Sequence, residues 1–514
     1  MDKKLVYVLL SSLAAVWIFN YFSPKKESLN LQDIKPGQGY NVPSASELAK
    51  PINLEIDFLD KKITEKESFN EIETDLLKVS FSNYGGVLSG VEFKKHLGKN
   101  SQPLKIIQNK GFYEREQGAF LVALDEKTPY FYKFEGSFVD GDKTNIVYST
   151  NSSGWLIRKV YSIYNNNYKI DLKLDFEKSS DASLIRPRLF FPSPMIGEIE
   201  KDLQSVVIGS LDNKSVDKIA EKDLTKAWVK PEIIGSQDKY FLMTLFADNN
   251  EFVNRAFFKK TNNQIFTILE GKELSENYST KLSFYIGPKL VEDLIVVDKR
   301  LEDVLDFGWL SWFCKLMLKL LQYLYSLVGN FGVAIILMSI ILKLPFVPLS
   351  ISSRKKLEEY QKHTPAINKI RQKYKGNPEL LNQELMKYHK DHDISLSTQF
   401  VGCLPLLLQM PILFSLYRVL GNYIELYQAP FAGWITNLSA ADPFYVLPVL
   451  MGISTFVQQA MTPVKDASQK VMLFVMPIFL TIIFFNFPAG LVLYWLMNNL
   501  LTIIEDLFRK KYFR

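Results

Sequence analysis

Lys343 is the side chain with the most chemistry to offer, because of where it stands. It closes the apolar run Gly332 to Leu342 and is followed by Leu344-Pro345-Phe346-Val347-Pro348-Leu349. At about 1.5 Å per helical residue, the roughly sixteen residues from Leu327 carry its ammonium about 24 Å into a hydrocarbon core about 30 Å thick. Hydrocarbon cannot solvate an ammonium. A lysine at that depth either faces a polar cavity and a partner, or reaches back along its four-carbon stem to the headgroups. Polar side chains able to face it are Ser339, Gln409, Asn486, Asn498 and Asn499, set among soft apolar residues such as Met410, Met451, Met472, Met476, Phe484 and Phe485. A polar cavity with a flexible apolar wall suits a passing amphipathic peptide better than one fixed solute.

Other reactive arrangements are sparse. His389-x-x-His392, flanked by Asp391 and Asp393, puts ligand types one turn apart, but no third histidine or cysteine stands nearby and no metal is expected there. No HExxH, GxSxG, P-loop or CxxC pattern occurs, so neither an enzyme nor a cofactor is expected. Arg418 and Glu425 read as interface anchors, or as each other's partner, rather than as a relay. A secondary transporter is the competing class, but its usual internal repeat is missing from the apolar segments.

The chain that must position Lys343 has two unlike halves. Of 514 residues, 47% are hydrophobic and 23% charged. Residues 25–300 are rich in lysine and aspartate, whereas residues 323–504 hold several long uncharged runs. The net charge of +6 is spread along the chain and gives no reason to expect DNA or RNA as a ligand of the fold. Both cysteines, Cys314 and Cys403, lie outside the polar half, which must therefore be stable without a disulfide.

Met1-Asp2-Lys3-Lys4 and the uncharged stretch Leu5 to Pro24 read as an uncleaved transmembrane signal anchor, residues 1–24. Residues 25–55, punctuated by proline, glycine and serine, read as a flexible tether. Residues 56–300 alternate apolar and polar positions, most clearly in Tyr168 to Glu177, with turn signals such as Asn83-Tyr84-Gly85-Gly86. This pattern predicts an all-β sandwich, with a helix or two near Lys214 to Lys226. Residues 301–325 carry Trp309, Trp312, Phe313, Leu316 and Leu320 at helical spacing beside Lys315 and Lys319, which predicts an interfacial amphipathic helix or, alternatively, a longer span.

Residues 326–514 are expected to form a five-helix core. Spans are read at 323–342, 394–417 and 443–464, and Val471 to Ile504 is too long for one crossing at about 51 Å. Phe487-Pro488-Ala489-Gly490 divides that last run into two short spans of about 16 residues, and short spans thin a bilayer. Residues 351–397 hold ten lysines and arginines, whereas Gln428 to Asp442 hold none, so the first loop is assigned to the cytoplasm. Counting from there gives six transmembrane helices, both termini cytoplasmic and the sandwich outside. The cytoplasmic loop reads as a helical hairpin, kinked or interrupted at Pro365 and restarted at Asn377-Pro378-Glu379. Its basic face would meet lipid headgroups, ribosomal RNA or water.

Gly402-Cys403-Leu-Pro405-Leu-Leu-Leu-Gln409-Met410-Pro411-Ile412, Gln428-Ala429-Pro430-Phe431, Asp442-Pro443, Leu447-Pro448-Val-Leu-Met451-Gly452 and Phe487-Pro488-Ala489-Gly490-Leu-Val-Leu-Tyr494-Trp495 closely resemble the YidC membrane-protein insertase family, in its order. The resemblance covers Leu301 to Arg514, and the outer domain is similar in position and strand content to that of the Gram-negative members. It implies a protein of the cell inner membrane that inserts newly made membrane proteins, alone or beside the Sec translocon, through a hydrophilic groove open to cytoplasm and lipid and without nucleotide hydrolysis. It also implies that Lys343, Ser339 and Trp495 line the groove, with Leu413, Met451 and Ile483 on an apolar substrate path. Where the family has a groove arginine this chain has Lys343, which keeps the charge but lacks the planar fork. Lys343 is then expected to draw in a client's acidic tail. The alternative is an assembly chaperone whose spans merely anchor it.

Overall fold

The computed structural model describes residues 66–98, 101–107, 118–124, 131–194, 205–209, 216–219, 227–247, 251–261, 264–305, 310–392, 394, 404–461 and 467–512. The N-terminal anchor, the tether and Cys403 lie outside them. The first half folds as three antiparallel sheets of four, five and nine strands. The largest runs Val216–Ile219, Ser205–Gly209, Ile233–Gln237, Phe241–Phe246, Tyr278–Pro288, Lys169–Lys178, Trp155–Tyr164, Lys143–Ser152 and Lys133–Asp140 in spatial order.

Alternation in the sequence becomes alternation of burial. In Trp155–Tyr164 every second side chain, from Trp155 through Ile157, Lys159 and Tyr161 to Ile163, is buried. Lys159 sits on that inward register. Its ammonium donates to the carbonyls of Gly85 (2.8 Å), Gly86 (3.3 Å) and Phe120 (2.8 Å) and lies 4.6 Å from the Tyr132 ring centre. The strand Lys169–Lys178 follows its predicted pattern except at Asp171, which is buried where a wet position was expected. Hydrogen bonds from Tyr164 and Ser283 and an ion pair with Lys281 explain the exception. The stretch read as helical near 214–226 contains the strand Val216–Ile219, whose backbone pairs with the otherwise open edge of Ser205–Gly209. Local helix propensity yields there to an available ladder of backbone partners.

The second half is helical. A short helix α1 (Val291–Val297) and a 3₁₀ turn (Lys299–Val304) leave the sheets and lead to α2 (Ser311–Val328). The latter buries Cys314, Met317, Leu318, Leu321 and Leu324, while Trp312, Leu316, Tyr323 and Leu327 are exposed. Gly329 ends it in the left-handed conformation (φ 66°), which a glycine adopts without a Cβ penalty. Asn330 starts α3 (Phe331–Lys343) by accepting from the Val333 amide at 3.1 Å, and it donates to the Phe431 carbonyl at 3.1 Å.

A 3₁₀ turn, Leu344–Phe346, passes straight into α4 (Val347–Lys373), so that Phe331–Lys373 is one 43-residue helical rod. Pro365 lies inside α4 without interrupting it. Helix α5 (Pro378–Asp391) is capped by Asn377, as its sequence predicts, and folds back on α4, where the Tyr388 hydroxyl meets His363 Nδ1 at 3.2 Å.

Four further helices complete the bundle: α6 (Leu404–Asn422), α7 (Val446–Ala460), α8 (Ala467–Phe484) and α9 (Ala489–Tyr512). The break before Ala489 falls in the predicted turn, but its flanking helices are 18 and 24 residues long rather than about 16. Helix α9 exceeds its apolar run because charged side chains at its end find partners on α4. The short helix is α7, with 15 residues. Gly452 lets it touch α8, since a Cβ there would stand 2.0 Å from Thr481 Oγ1. Among the described residues, Phe331–Lys373 and Ala489–Lys511 are long and apolar enough to cross a membrane.

The two halves touch directly. Tyr240 of the β-domain shares a 3.0 Å hydrogen bond with Ser439, its ring lies 5.5 Å from that of Tyr427, and Ile424 is buried in the β-domain's own core.

Candidate functional site

Helix α9 carries the site. Trp495, Asn498, Thr502, Glu505 and Arg509 recur every three or four residues and therefore share one face. That face meets α3. Lys343, roughly 18 Å along α3 from Phe331, donates from Nζ to Thr502 Oγ1 at 2.5 Å and stands 3.8 Å from Glu505 Oε2. Thr502 passes its own proton back to the Asn498 carbonyl at 2.8 Å. The Lys343 side chain is 17% exposed and that of Glu505 9%.

One turn further along, α4 docks on the same helix. Arg354 pairs closely with Asp506, and Arg509 donates to Glu358 at 2.7 Å while its Nε lies 4.0 Å from Asp506. Lys343, Arg354 and Arg509 thus face Glu505, Asp506 and Glu358, one carboxylate for each cation. In a low-dielectric setting such balance is what permits charges to remain.

The other expected site residues separate into two groups. Ser339, one turn before Lys343, is buried and its hydroxyl turns back to the Ile335 carbonyl at 2.7 Å. Trp495 is 8% exposed, its ring centre 5.3 Å from that of Phe484, and its Nε1 has no partner among the described residues. Met451 is wholly buried in the same cluster, with Leu413 half-buried at its edge. Ile483, by contrast, is exposed on the outer surface of α8.

Asn499, flanking the stripe, clasps α7, donating to Ser454 Oγ at 3.0 Å and Thr455 Oγ1 at 2.8 Å. His389 and His392 each direct Nδ1 to a carbonyl of their own helix, at 2.6 and 3.0 Å. Thr502, Glu505 and Asp506 were not singled out from the sequence as partners of Lys343. The signal for them was the periodicity of α9, which continues the polar positions of Asn498 past the end of the apolar run.

With this geometry in hand, two matches to known families become informative. Residues 323–514 match the model described as 60Kd inner membrane protein, and residues 70–320 that of the YidC periplasmic domain. The membrane protein insertase YidC of Geotalea daltonii is 31% identical to this chain, with 99% of each covered. The chain belongs to the YidC insertase family. A second relative of the same name, from Syntrophus aciditrophicus, is 30% identical over 99% of this chain and all of its own length. A solved structure, "Active YidC insertase crystal structure with the first transmembrane domain resolved", aligns over 88% of this chain and 94% of that one at 19% identity and a TM-score of 0.40.

Membership gives the architecture its meaning. The β-rich half is the periplasmic domain and the helical half the membrane part of a YidC-type fold. The protein is an inner-membrane insertase for newly made membrane proteins, not an enzyme. The transporter reading gives way to this one.

Proposed function

We propose that Lys343 is where this insertase receives the acidic outer tail of a client, drawing it part-way across the membrane before the client's apolar segment moves into lipid. The carrying observation is the incompletely buried ammonium at the inner end of α3, bonded to one hydroxyl and facing a carboxylate it does not touch closely. An ammonium with donors to spare attracts an anion through a poorly screening medium. Ser339 and Trp495, buried behind it, back the groove that admits the tail. Leu413 and Ile483 then form the path to lipid, backed by Met451, with transfer driven by roughly 0.8 kcal/mol per buried methylene. Local thinning is ascribed to α7, whose 15 residues make about 22 Å, rather than to the final pair of helices.

The finer topology belongs to the same proposal. Six helices cross the membrane, counting the N-terminal anchor of residues 1–24, and both termini are cytoplasmic. Residues 25–55 tether the periplasmic domain of residues 56–300, residues 301–325 lie at the outer interface, and residues 326–514 form the core with the 351–397 hairpin in the cytoplasm. Exposed Lys355, Lys356, Lys369, Lys387 and Lys390 on that hairpin suit a ribosome or anionic lipid headgroups, and the Sec translocon is the expected neighbour within the membrane.

The test is insertion of a two-span client with an acidic outer tail into liposomes containing only this purified protein, scored by protection of the tail from protease. Protection without translocon or nucleotide is expected. Lys343→Ala should lower its rate on the order of tenfold, equivalent to about 1.4 kcal/mol. An undiminished rate in that variant would remove Lys343 from the mechanism.

A further inference from the structure

The receiving lysine is already occupied. Glu505 faces Lys343 at 3.8 Å, beyond hydrogen-bonding distance, and neither of its buried oxygens accepts a hydrogen bond among the described residues. Both Asp506 oxygens likewise accept no hydrogen bond among the described residues, but Asp506 lies in close contact with Arg354, and Arg509 reaches Glu358 at 2.7 Å, tying α4 to α9. Of the three carboxylates around this junction, only Glu505 stands off from its cation. Among the described residues Lys343 makes one hydrogen bond, to Thr502, which leaves donors of the ammonium unspent.

We propose that Glu505 is a resident counter-ion that a client's carboxylate displaces from Lys343, so that this insertase selects acidic tails by exchange and resets itself when Glu505 returns. The proposal rests on the reading of Lys343 as the receiving cation and adds to it a competitor. Exchange of one carboxylate for another keeps the Lys343 ammonium paired at every stage, which avoids leaving that charge uncompensated away from water. It demands little rearrangement, because Glu505 gives up no hydrogen bond and Thr502 continues to orient the ammonium. The loose pair also supplies the release step. A client acid that bound an unopposed lysine would tend to stay, whereas Glu505, one turn beyond Thr502 on the same face of α9, competes for the site as the client moves on. Glu505 is thus a specificity-determining residue that sets how acidic a tail must be to compete.

The experiment uses the full-length protein in liposomes and two clients that differ only in their outer tails, one carrying aspartates and the other asparagines at the same positions. Glu505→Gln removes the competitor's charge and keeps its shape. Binding of the aspartate client should tighten by about threefold or more, the range a loosely held ion pair commands, while the asparagine client is unaffected. Equal effects on both clients, or none on the aspartate client, would overturn the exchange. A second variant guards against misfolding of the first. In Lys343→Glu with Glu505→Lys the pair is rebuilt in reverse, and a merely structural pair would restore the original preference, whereas exchange predicts that the acidic tail loses its advantage. Lys343→Ala separates the two layers of the argument. If it still favours the aspartate client over the asparagine client, the receiving role of Lys343 fails. If that preference is lost in Lys343→Ala but Glu505→Gln behaves as the parent protein, only the exchange fails.

Discussion

Lys159 and Lys343 are both largely withdrawn from bulk water, and they are held in opposite ways. Lys159, in the periplasmic domain, is 0% exposed and spends its donors on three backbone carbonyls of neighbouring loops. Lys343, in the membrane part, keeps a fraction of its surface open, makes one hydrogen bond and stands off from its carboxylate. Backbone carbonyls cannot leave, so Lys159 is a fixed pin that joins Gly85, Gly86 and Phe120 to one strand. A hydroxyl and a loosely held side chain can be replaced, as the receiving role proposed for Lys343 requires. The number of immovable partners, rather than depth alone, separates a structural buried charge from a working one.

Substitution should separate the pair. Lys159→Met leaves three buried carbonyls without donors and should cost roughly 3–5 kcal/mol in the periplasmic domain, read from the β-sheet circular dichroism on heating, while insertion by the intact remainder persists. Lys343→Met should cost less stability, about 1–2 kcal/mol, and should slow insertion on the order of tenfold instead; adding Glu505→Gln should recover the stability and not the insertion. If both lysines proved equally important to stability, the distinction drawn here would collapse. Asn499→Ala, which opens the clasp between α9 and α7 without touching either lysine, should lower the stability of the helical half by about 1 kcal/mol.

The smallest effect concerns pH. Burial, with help from neighbouring Lys95, pushes the His96 imidazole down to about 4. Its unfolded value lies near 6.5, so the unfolded chain takes up this proton first. The stability His96 contributes is full above pH 6.5 and is lost as pH falls toward 4. Burial raises the carboxyls of Asp238 and Asp293 to about 6, and these act in the opposite sense, favouring the folded form as pH drops below 6. His96→Phe should therefore make the periplasmic domain more acid-resistant than the parent by about 1–2 kcal/mol near pH 4, a figure reduced for the ring's partial exposure. Thermal unfolding at pH 7 and pH 4.5 checks this, and an unchanged difference between the two would remove His96 from the account.

Much of this arrangement was legible in the sequence because it follows from period and punctuation. The alternation of Tyr168 to Glu177, the Asn377 cap and the break at Phe487 to Gly490 each state a backbone conformation locally. Lys343 was legible because a charge in an apolar run is conspicuous. Its partners were not. Glu505 and Asp506 follow the last apolar run directly, where charged residues ordinarily mark the return to water, and only the 3.6-residue period brings them back to the face that holds Thr502. Lys159 hid for a related reason. A lysine between Arg158 and Val160 looks like surface until its parity with Trp155, Ile157 and Tyr161 is counted. The strand Val216–Ile219 escaped because its existence depends on a partner edge that its own residues do not announce.

The unbroken rod from Phe331 to Lys373 has a mechanical consequence. Lys343 lies where its membrane portion gives way to about 45 Å of helix, close to a fulcrum with a long arm on one side. The tight Arg354 and Arg509 contacts clamp the rod to α9 just beyond that point, and the hairpin formed with α5 stiffens the far end. A sideways push on the hairpin tip is therefore geared down into a small, forceful rotation at the lysine, so that whatever leans on the hairpin has a handle on the spacing between Lys343 and Glu505.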